Sequence, residues 1–200
     1  MPTLYILAGP NGAGKTTYYY TALEKKFIEQ HLPFINVDVF TKELGDYTAE
    51  NFAKAEMIYR EKVAELLKDK TDFMIESNLA RDSDYEWIEK VQKYGYDIVL
   101  YFLCTDDINV NINRIHRRVK EGGHDVPVGI IMHRYKAALS YLKTKLHLFK
   151  EIYFIDNSSD EAMEVGYKKN NNIIELLPAP PKWLDDVLSI ERRLQRKKNN

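Results

Sequence analysis

Gly9-Pro10-Asn11-Gly12-Ala13-Gly14-Lys15-Thr16 is the stretch that decides the fold. It fits the pattern G-x-x-x-x-G-K-[ST] at every fixed position, and Thr17 adds a further hydroxyl. Before it, Leu4-Tyr5-Ile6-Leu7-Ala8 is a short apolar run of the kind that forms a buried strand. After it, Thr17 to Gln30 contains neither Pro nor Gly and reads as a helix continuing to about His31. Strand, glycine-rich loop and helix in that order are the context in which the pattern binds phosphate. Glycines let the backbone turn tightly and aim several N–H groups inward as an anion-binding nest. The helix N-terminus adds partial positive charge. Lys15 is expected to reach the β- and γ-phosphates as a point charge, and the Thr16 hydroxyl to ligate Mg²⁺. Gly9, Pro10, Asn11, Gly12, Ala13, Gly14, Lys15, Thr16 and Thr17 are therefore the expected nucleotide-binding residues.

The chain has 200 residues, which suits one domain over 1–200. Its net charge of −1 gives no field that would favour nucleic acid or a membrane surface. One cysteine, Cys104, lies in an apolar run, so no disulfide framework can form within the chain. The N-terminus lacks the pattern of a signal peptide, and no apolar run is long enough to span a bilayer. The cytoplasm is the expected compartment.

Working outward from the loop, Phe34 to Asp38 reads as a second strand, with Asp38 at its end, and Lys42 to Tyr47 as irregular. Thr48 is a plausible cap for a long helix ending near Lys70, with Phe52, Tyr59, Val63 and Leu66 on one face. Phe73 to Glu76 is a third strand. Asp84 opens a helix that Gly95 closes, and Tyr96 to Cys104 is continuously apolar, as expected of a strand covered on both faces. Asp106 or Asp107 caps a helix running to about Glu121, Gly122 to Pro127 breaks it, and a further helix follows. Glu151 to Asp156 is a fifth strand. Met163 to Tyr167 and Ile173 to Leu177 can form a small hairpin across Asn170-Asn171, and Trp183 to Arg196 is a C-terminal helix with a basic, solvated end. The fold expected is α/β, with about five strands in a mainly parallel sheet flanked by helices.

Three carboxylates end apolar runs: Asp38, Glu76 and Asp156. Strand ends of an open parallel sheet face the ligand crevice. Asp38 fits a general base, since phosphoryl transfer asks only that the acceptor hydroxyl be oriented and its proton accepted. Glu76 has two readings, a carboxylate near Mg²⁺ or in the substrate pocket, and a structural one. Asp156 reads as structural. Arg114, Arg117 and Arg118 lie on one helix, followed by a Gly-Gly hinge, His124 and then Arg134. This is the composition of a lid over about 106–135, whose arginines neutralise transition-state charge and exclude water. His124 and Arg134 are candidates for substrate contact, whereas His116, His133 and His147 read as surface residues.

Taken together, these segments resemble the zeta toxin family of P-loop kinases. The matching pieces are Gly9 to Thr17, Asn36-Val37-Asp38, Glu76-Ser77, and Arg114-x-x-Arg117-Arg118-Val119-x-x-Gly122-Gly123-His124-Asp125-Val126-Pro127 with Ile131 and Arg134-Tyr135. They span roughly residues 3 to 156 and are similar to the short, stand-alone branch that carries the GGHDVP segment. The resemblance implies a nucleoside-monophosphate-kinase-like core with a helical lid, ATP with Mg²⁺ as donor, and a sugar hydroxyl as acceptor. In the family that acceptor is UDP-N-acetylglucosamine. It implies that Lys15 and Thr16 hold phosphate and Mg²⁺, that Asp38 is the base, that Glu76 stands at the substrate pocket, and that Arg114, Arg117 or Arg118 is the lid arginine. It also allows a separately encoded antitoxin as partner. Two other readings stay open: a metabolic kinase for another hydroxyl compound, and an ATP-dependent switch that phosphorylates nothing.

Overall fold

The computed structural model describes residues 1–25, 31–170 and 172–198, the last five of these by backbone alone. Along the chain lie β1 (Thr3–Ala8), α1 (Lys15–Glu24), β2 (Phe34–Ile35), α2 (Val37–Leu44), α3 (Ala49–Lys68), β3 (Phe73–Ser77) and α4 (Asp82–Lys93). Then come β4 (Asp97–Cys104), α5 (Ile108–Lys120), α6 (Val128–Lys145), a 3₁₀ turn (Leu146–Leu148), β5 (Glu151–Asp156), β6 (Met163–Lys169), β7 (Asn172–Glu175) and α7 (Lys182–Lys198).

The strands form one sheet in the order β2-β3-β1-β4-β5-β6-β7. β1 lies parallel between β3 and β4, β2 and β5 extend the parallel part, and β6 and β7 follow antiparallel. The chain leaves β1 toward one side of the sheet and later returns to pair on its other side, so the end of β1 is a topological switch point, where ligands bind in open α/β sheets. Register brings Glu76 level with Leu7 and Ser77 level with Ala8, at the mouth of that crevice.

Alternation along the strands divides the core. Leu4 and Ile6 of β1, Phe73 and Ile75 of β3, Leu100 and Phe102 of β4, and Ile152 and Phe154 of β5 face the main cluster. Tyr85 and Ile88 of α4, Ala138 and Leu142 of α6, and Trp183, Leu184, Val187 and Leu188 of α7 cover it. Leu7, Met74, Leu103 and Ile155 face the other way, against Tyr19 and Ala22 of α1.

The P-loop fold with an α/β sheet, flanking helices and a helical lid is as expected, but the sheet has seven strands rather than about five. The hairpin across Asn170-Asn171 supplies the difference by adding to β5, with Asn171 itself outside the described residues. The expected strand Phe34 to Asp38 is only two residues long. Asn36 turns the chain and accepts the Asp38 backbone N–H at 2.8 Å as the N-cap of α2, so Asp38 sits in a first helical turn rather than at a strand end. The segment from Lys42, expected to be irregular, is helical to Leu44. The expected extension of the first helix over 26–30 falls outside the described residues. The C-terminal helix is docked on the core through its first turns, and Arg192, expected in a solvated basic end, pairs instead with Glu175 and Asp185; the side chains of 194–198 lie outside the described residues.

Candidate functional site

The P-loop runs from the end of β1 into α1. Gly12 has φ 77, and a Cβ there would come within 2.4 Å of the Asn111 carbonyl oxygen, so only glycine lets the loop lie this close to α5. Side-chain amides hold the loop's outward carbonyls. Asn111, fully buried, donates to the Asn11 carbonyl at 2.7 Å, and Asn157 donates to that of Ala13 at 2.7 Å. Within the loop the Ala13 N–H donates to the Pro10 carbonyl at 3.1 Å. Gly14, at the N-cap of α1, provides no side-chain cap, so the first N–H groups of that helix face the crevice without one.

Lys15 is 6% exposed. Its ammonium donates to the carbonyls of Gly9 at 2.7 Å and Pro10 at 3.3 Å, and to Asn78 Oδ1 at 3.1 Å, and it lies 3.7 Å from Glu76 Oε1. Burial holds its pKa below the ordinary lysine value, the charges of Glu76 and Asp38 oppose that shift, and Arg118 adds to it. Glu76 Oε2 accepts from the Thr16 hydroxyl at 3.0 Å and from Asn36 Nδ2 at 2.8 Å. Thr16 and Glu76 thus place two hard oxygen donors together at the foot of α1, a set that suits Mg²⁺, which is usually held by few protein ligands plus phosphate. Asn36 does two jobs: it caps α2, which carries Asp38, and it fixes Glu76.

The lid arginines separate by position. Arg114 on α5 donates from Nη2 to the Ser159 carbonyl at 3.2 Å, while its Nη1 is buried without a hydrogen-bond partner and faces Gly14. Arg118 donates from Nη2 to the His124 carbonyl at 2.8 Å, and its Nε is likewise buried and unpartnered. Arg134 on α6 reaches Asn11 Oδ1 at 3.1 Å. Arg117 is not part of this group: its side chain is 84% exposed and pairs with Glu121 at 3.3 Å. Arg114 and Arg118, one helical turn apart, are drawn in on one side of α5 while Arg117 between them faces solvent, as a helix requires.

Gly122-Gly123, expected as a hinge, closes α5. The Gly122 N–H donates to the Val119 carbonyl at 3.0 Å and that of Gly123 to Arg118 at 2.9 Å, a Schellman motif with Gly122 at φ 86. The chain then turns so that the His124 ring stacks on Tyr47, with centroids 5.5 Å apart and planes at 29°. Burial pushes the Tyr47 phenol up, the charge of Asp38 adds to this and Arg118 opposes it. Tyr47, Asp38, Arg118 and His124 therefore share one wall of the crevice, across from the P-loop. Asp156 is taken up by structure: its carboxylate accepts from Ser158 and from the Trp183 indole at 2.8 Å.

Sequence reasoning quoted Asn36 beside Asp38 without giving it a role, and it missed Tyr47, Asn78, Asn111 and Asn157. Asn78 follows the quoted Glu76-Ser77 and could have been found as their neighbour. The others act across more than sixty positions of chain, and no local pattern marks them.

A phosphate-cradling loop at the switch point of a parallel sheet, a second arm carrying Asp38 and an arginine-bearing helical lid define the architecture of a P-loop kinase. The chain belongs to the zeta toxin family, whose model matches residues 1–172. An uncharacterised protein of Haemophilus influenzae is 25% identical over 130 residues, 64% of this chain and 88% of that protein. Among solved structures, the chain is similar to one from the PezAT chromosomal toxin–antitoxin system of Streptococcus pneumoniae, with a TM-score of 0.62 and 18% identity over 98% of this chain and 87% of that one. It is also similar to a chain of the AvrRxo1-ORF1:-ORF2 complex with ATP, with a TM-score of 0.69 and 16% identity over 88% of this chain. It spans 61% of the length of that AvrRxo1 chain.

Proposed function

We propose that the protein is an ATP-dependent phosphotransferase that moves the γ-phosphate of ATP to a hydroxyl of a small molecule, with a UDP-activated sugar such as UDP-N-acetylglucosamine as the favoured acceptor. One observation carries the donor half: Arg114 Nη1, buried and without a partner, lies near Gly14 at the uncapped N-terminus of α1, and Arg118 Nε on the same helix is likewise buried and unpartnered. A buried donor left unpaired costs about 1–3 kcal/mol, which phosphate oxygens would offset. The acceptor half rests on Asp38, which shares the opposite wall with Tyr47 and His124. A switch needs no such base.

In this reading Lys15 holds the β- and γ-phosphates, and Arg114 and Arg118 neutralise charge as it develops on the transferring group. The acceptor hydroxyl passes its proton to the Asp38 carboxylate while its oxygen bonds to the γ-phosphorus. The bond from that phosphorus to the β,γ-bridging oxygen breaks, and ADP leaves. Thr16 with Glu76 would hold Mg²⁺, which would supply charge neutralisation when bound. Arg134 fixes Asn11 of the loop. Residues 1–200 act as one kinase domain, with the lid over about 106–135. No described helix is long and apolar enough to cross a membrane, and we place the enzyme in the cytoplasm. A separately encoded antitoxin belongs to the same proposal, supported by the likeness to the PezAT system.

Incubating the protein with ATP–Mg²⁺ and a panel of UDP-sugars and other polyols, followed by mass spectrometry, tests the proposal. Phosphorylated acceptor that is lost in Asp38→Asn supports it. Transfer to a non-nucleotide polyol alone would replace the acceptor class, and tight ATP binding without any transfer would favour the switch.

A further inference from the structure

We propose that Asn78 is a positioning residue of the triphosphate site: its side-chain carbonyl holds one proton of the Lys15 ammonium and yields it to an incoming phosphate. The inference rests on reading Gly9–Thr16 as an ATP site.

An ammonium has three donors. Two of those on Lys15 are taken by the Gly9 and Pro10 carbonyls, which belong to the loop itself and move only with it. The third goes to Asn78 Oδ1 at 3.1 Å. Asn78 is the one of the three partners whose acceptor is on a rotatable side chain, so it is the one a phosphate oxygen can displace without unfolding the loop. A buried ammonium must be fully hydrogen-bonded to stay charged. Without Asn78, the nearest alternative is the Glu76 carboxylate 3.7 Å away, which already holds Thr16 and Asn36. The neutral amide therefore keeps Lys15 charged and stops it from closing onto the carboxylate placed for the metal.

The backbone supports the same assignment independently. Leu79, next to Asn78, has φ 47, a left-handed conformation that side chains other than glycine disfavour, and is 1% exposed. Two contacts hold it there: its N–H donates to Ser77 Oγ at 3.1 Å, and its carbonyl accepts from the buried Tyr85 hydroxyl at 3.3 Å. Strain kept by surrounding contacts beside a ligand crevice marks a turn that aims a side chain. Here the side chain aimed is Asn78, directly after the carboxylate strand end and against the P-loop lysine.

The sign of the effect depends on charge. Asn78→Asp replaces the exchangeable amide with an anion that grips Lys15 and repels phosphate. Asn78→Ala removes the competitor. Calorimetric titration of each full-length variant with ATP–Mg²⁺ and with ADP, alongside the melting temperature of the nucleotide-free protein, separates these effects. We expect Asn78→Asp to bind ATP at least ten-fold more weakly than wild type without a lower melting temperature. Asn78→Ala is expected to melt lower yet bind ATP within three-fold of wild type or more tightly. A part in the fold alone would lower the melting temperature in both and leave the two affinities together. Equal affinities in Asp and Ala variants, or loss of binding in both, would overturn the proposal. Absence of ATP binding by wild type would instead overturn the nucleotide-site reading on which it rests.

Discussion

At Lys15, the groups that surround the ammonium were chosen for what arrives later. The side chain is buried against two loop carbonyls, an amide and a carboxylate at 3.7 Å, an arrangement that costs desolvation until phosphate is present. Lys15→Ala should abolish transfer, with circular dichroism unchanged; turnover retained in that variant would remove the P-loop from the mechanism. Asp38→Asn should lower kcat by a factor of about 100 or more while ATP affinity stays within a few-fold, since a general base acts on the acceptor side. The arginines should divide as their positions do. Arg114→Ala and Arg118→Ala should each lose roughly 100- to 1000-fold in kcat, the scale of one preorganised donor. Arg117→Ala, exposed and paired with Glu121, should stay within two-fold. Equal losses at all three would mean that α5 rotates when it closes.

The lid's geometry resides in its elements rather than in any one contact. α5 is anchored at its start by Asn111 on the loop and stopped at its end by the Gly122-Gly123 motif, against which the Arg118 side chain packs. A Cβ on Gly123 would come within 2.6 Å of Arg118 Cγ and 3.0 Å of its carbonyl oxygen. Gly123→Ala should therefore lower kcat several-fold through Arg118 without touching the phosphates, and a wild-type rate in that variant would show that Arg118 moves freely. Elements also explain what the sequence made legible. The P-loop, β3, β4, β5 and the paired lid helices follow from local patterns of apolar residues, glycine and caps. β2 and α2 do not: Phe34 to Asp38 carries a strand's composition, but Asn36 donates to Glu76, forty residues away, and caps α2. The same blindness covers Tyr47. It reads as a polar loop residue until the fold sets His124 against it.

Across the whole molecule, buried phenols set an alkaline limit. Tyr59, packed against the main core, has a phenol pushed up to about 12 by burial, with the charge of Asp84 adding to it. The unfolded chain ionises near the ordinary value of 10.0 and the folded chain does not until about 12. The contribution of Tyr59 is therefore intact below pH 10 and lost as pH rises toward 12, by about 2–3 kcal/mol. Tyr153, also pushed up to about 12, adds in the same direction. Melting temperature should fall steeply over that window, and Tyr59→Phe should flatten the fall; an unchanged slope would place the loss elsewhere.

The docking of α7 has a consequence for where this molecule can be cut. The family match ends at residue 172, but the Trp183 backbone N–H bonds to Asp106 at 3.0 Å and its indole to Asp156 at 2.8 Å, at the ends of the two strands beside the crevice. Trp183, Leu184, Val187 and Leu188 are each at most 3% exposed. A fragment trimmed to the recognised boundary would open the main core along one side and release both aspartates. With each large apolar side chain worth about 1.5–3 kcal/mol, the loss approaches the whole stability of a small domain. Such a fragment should be recovered mainly as aggregate.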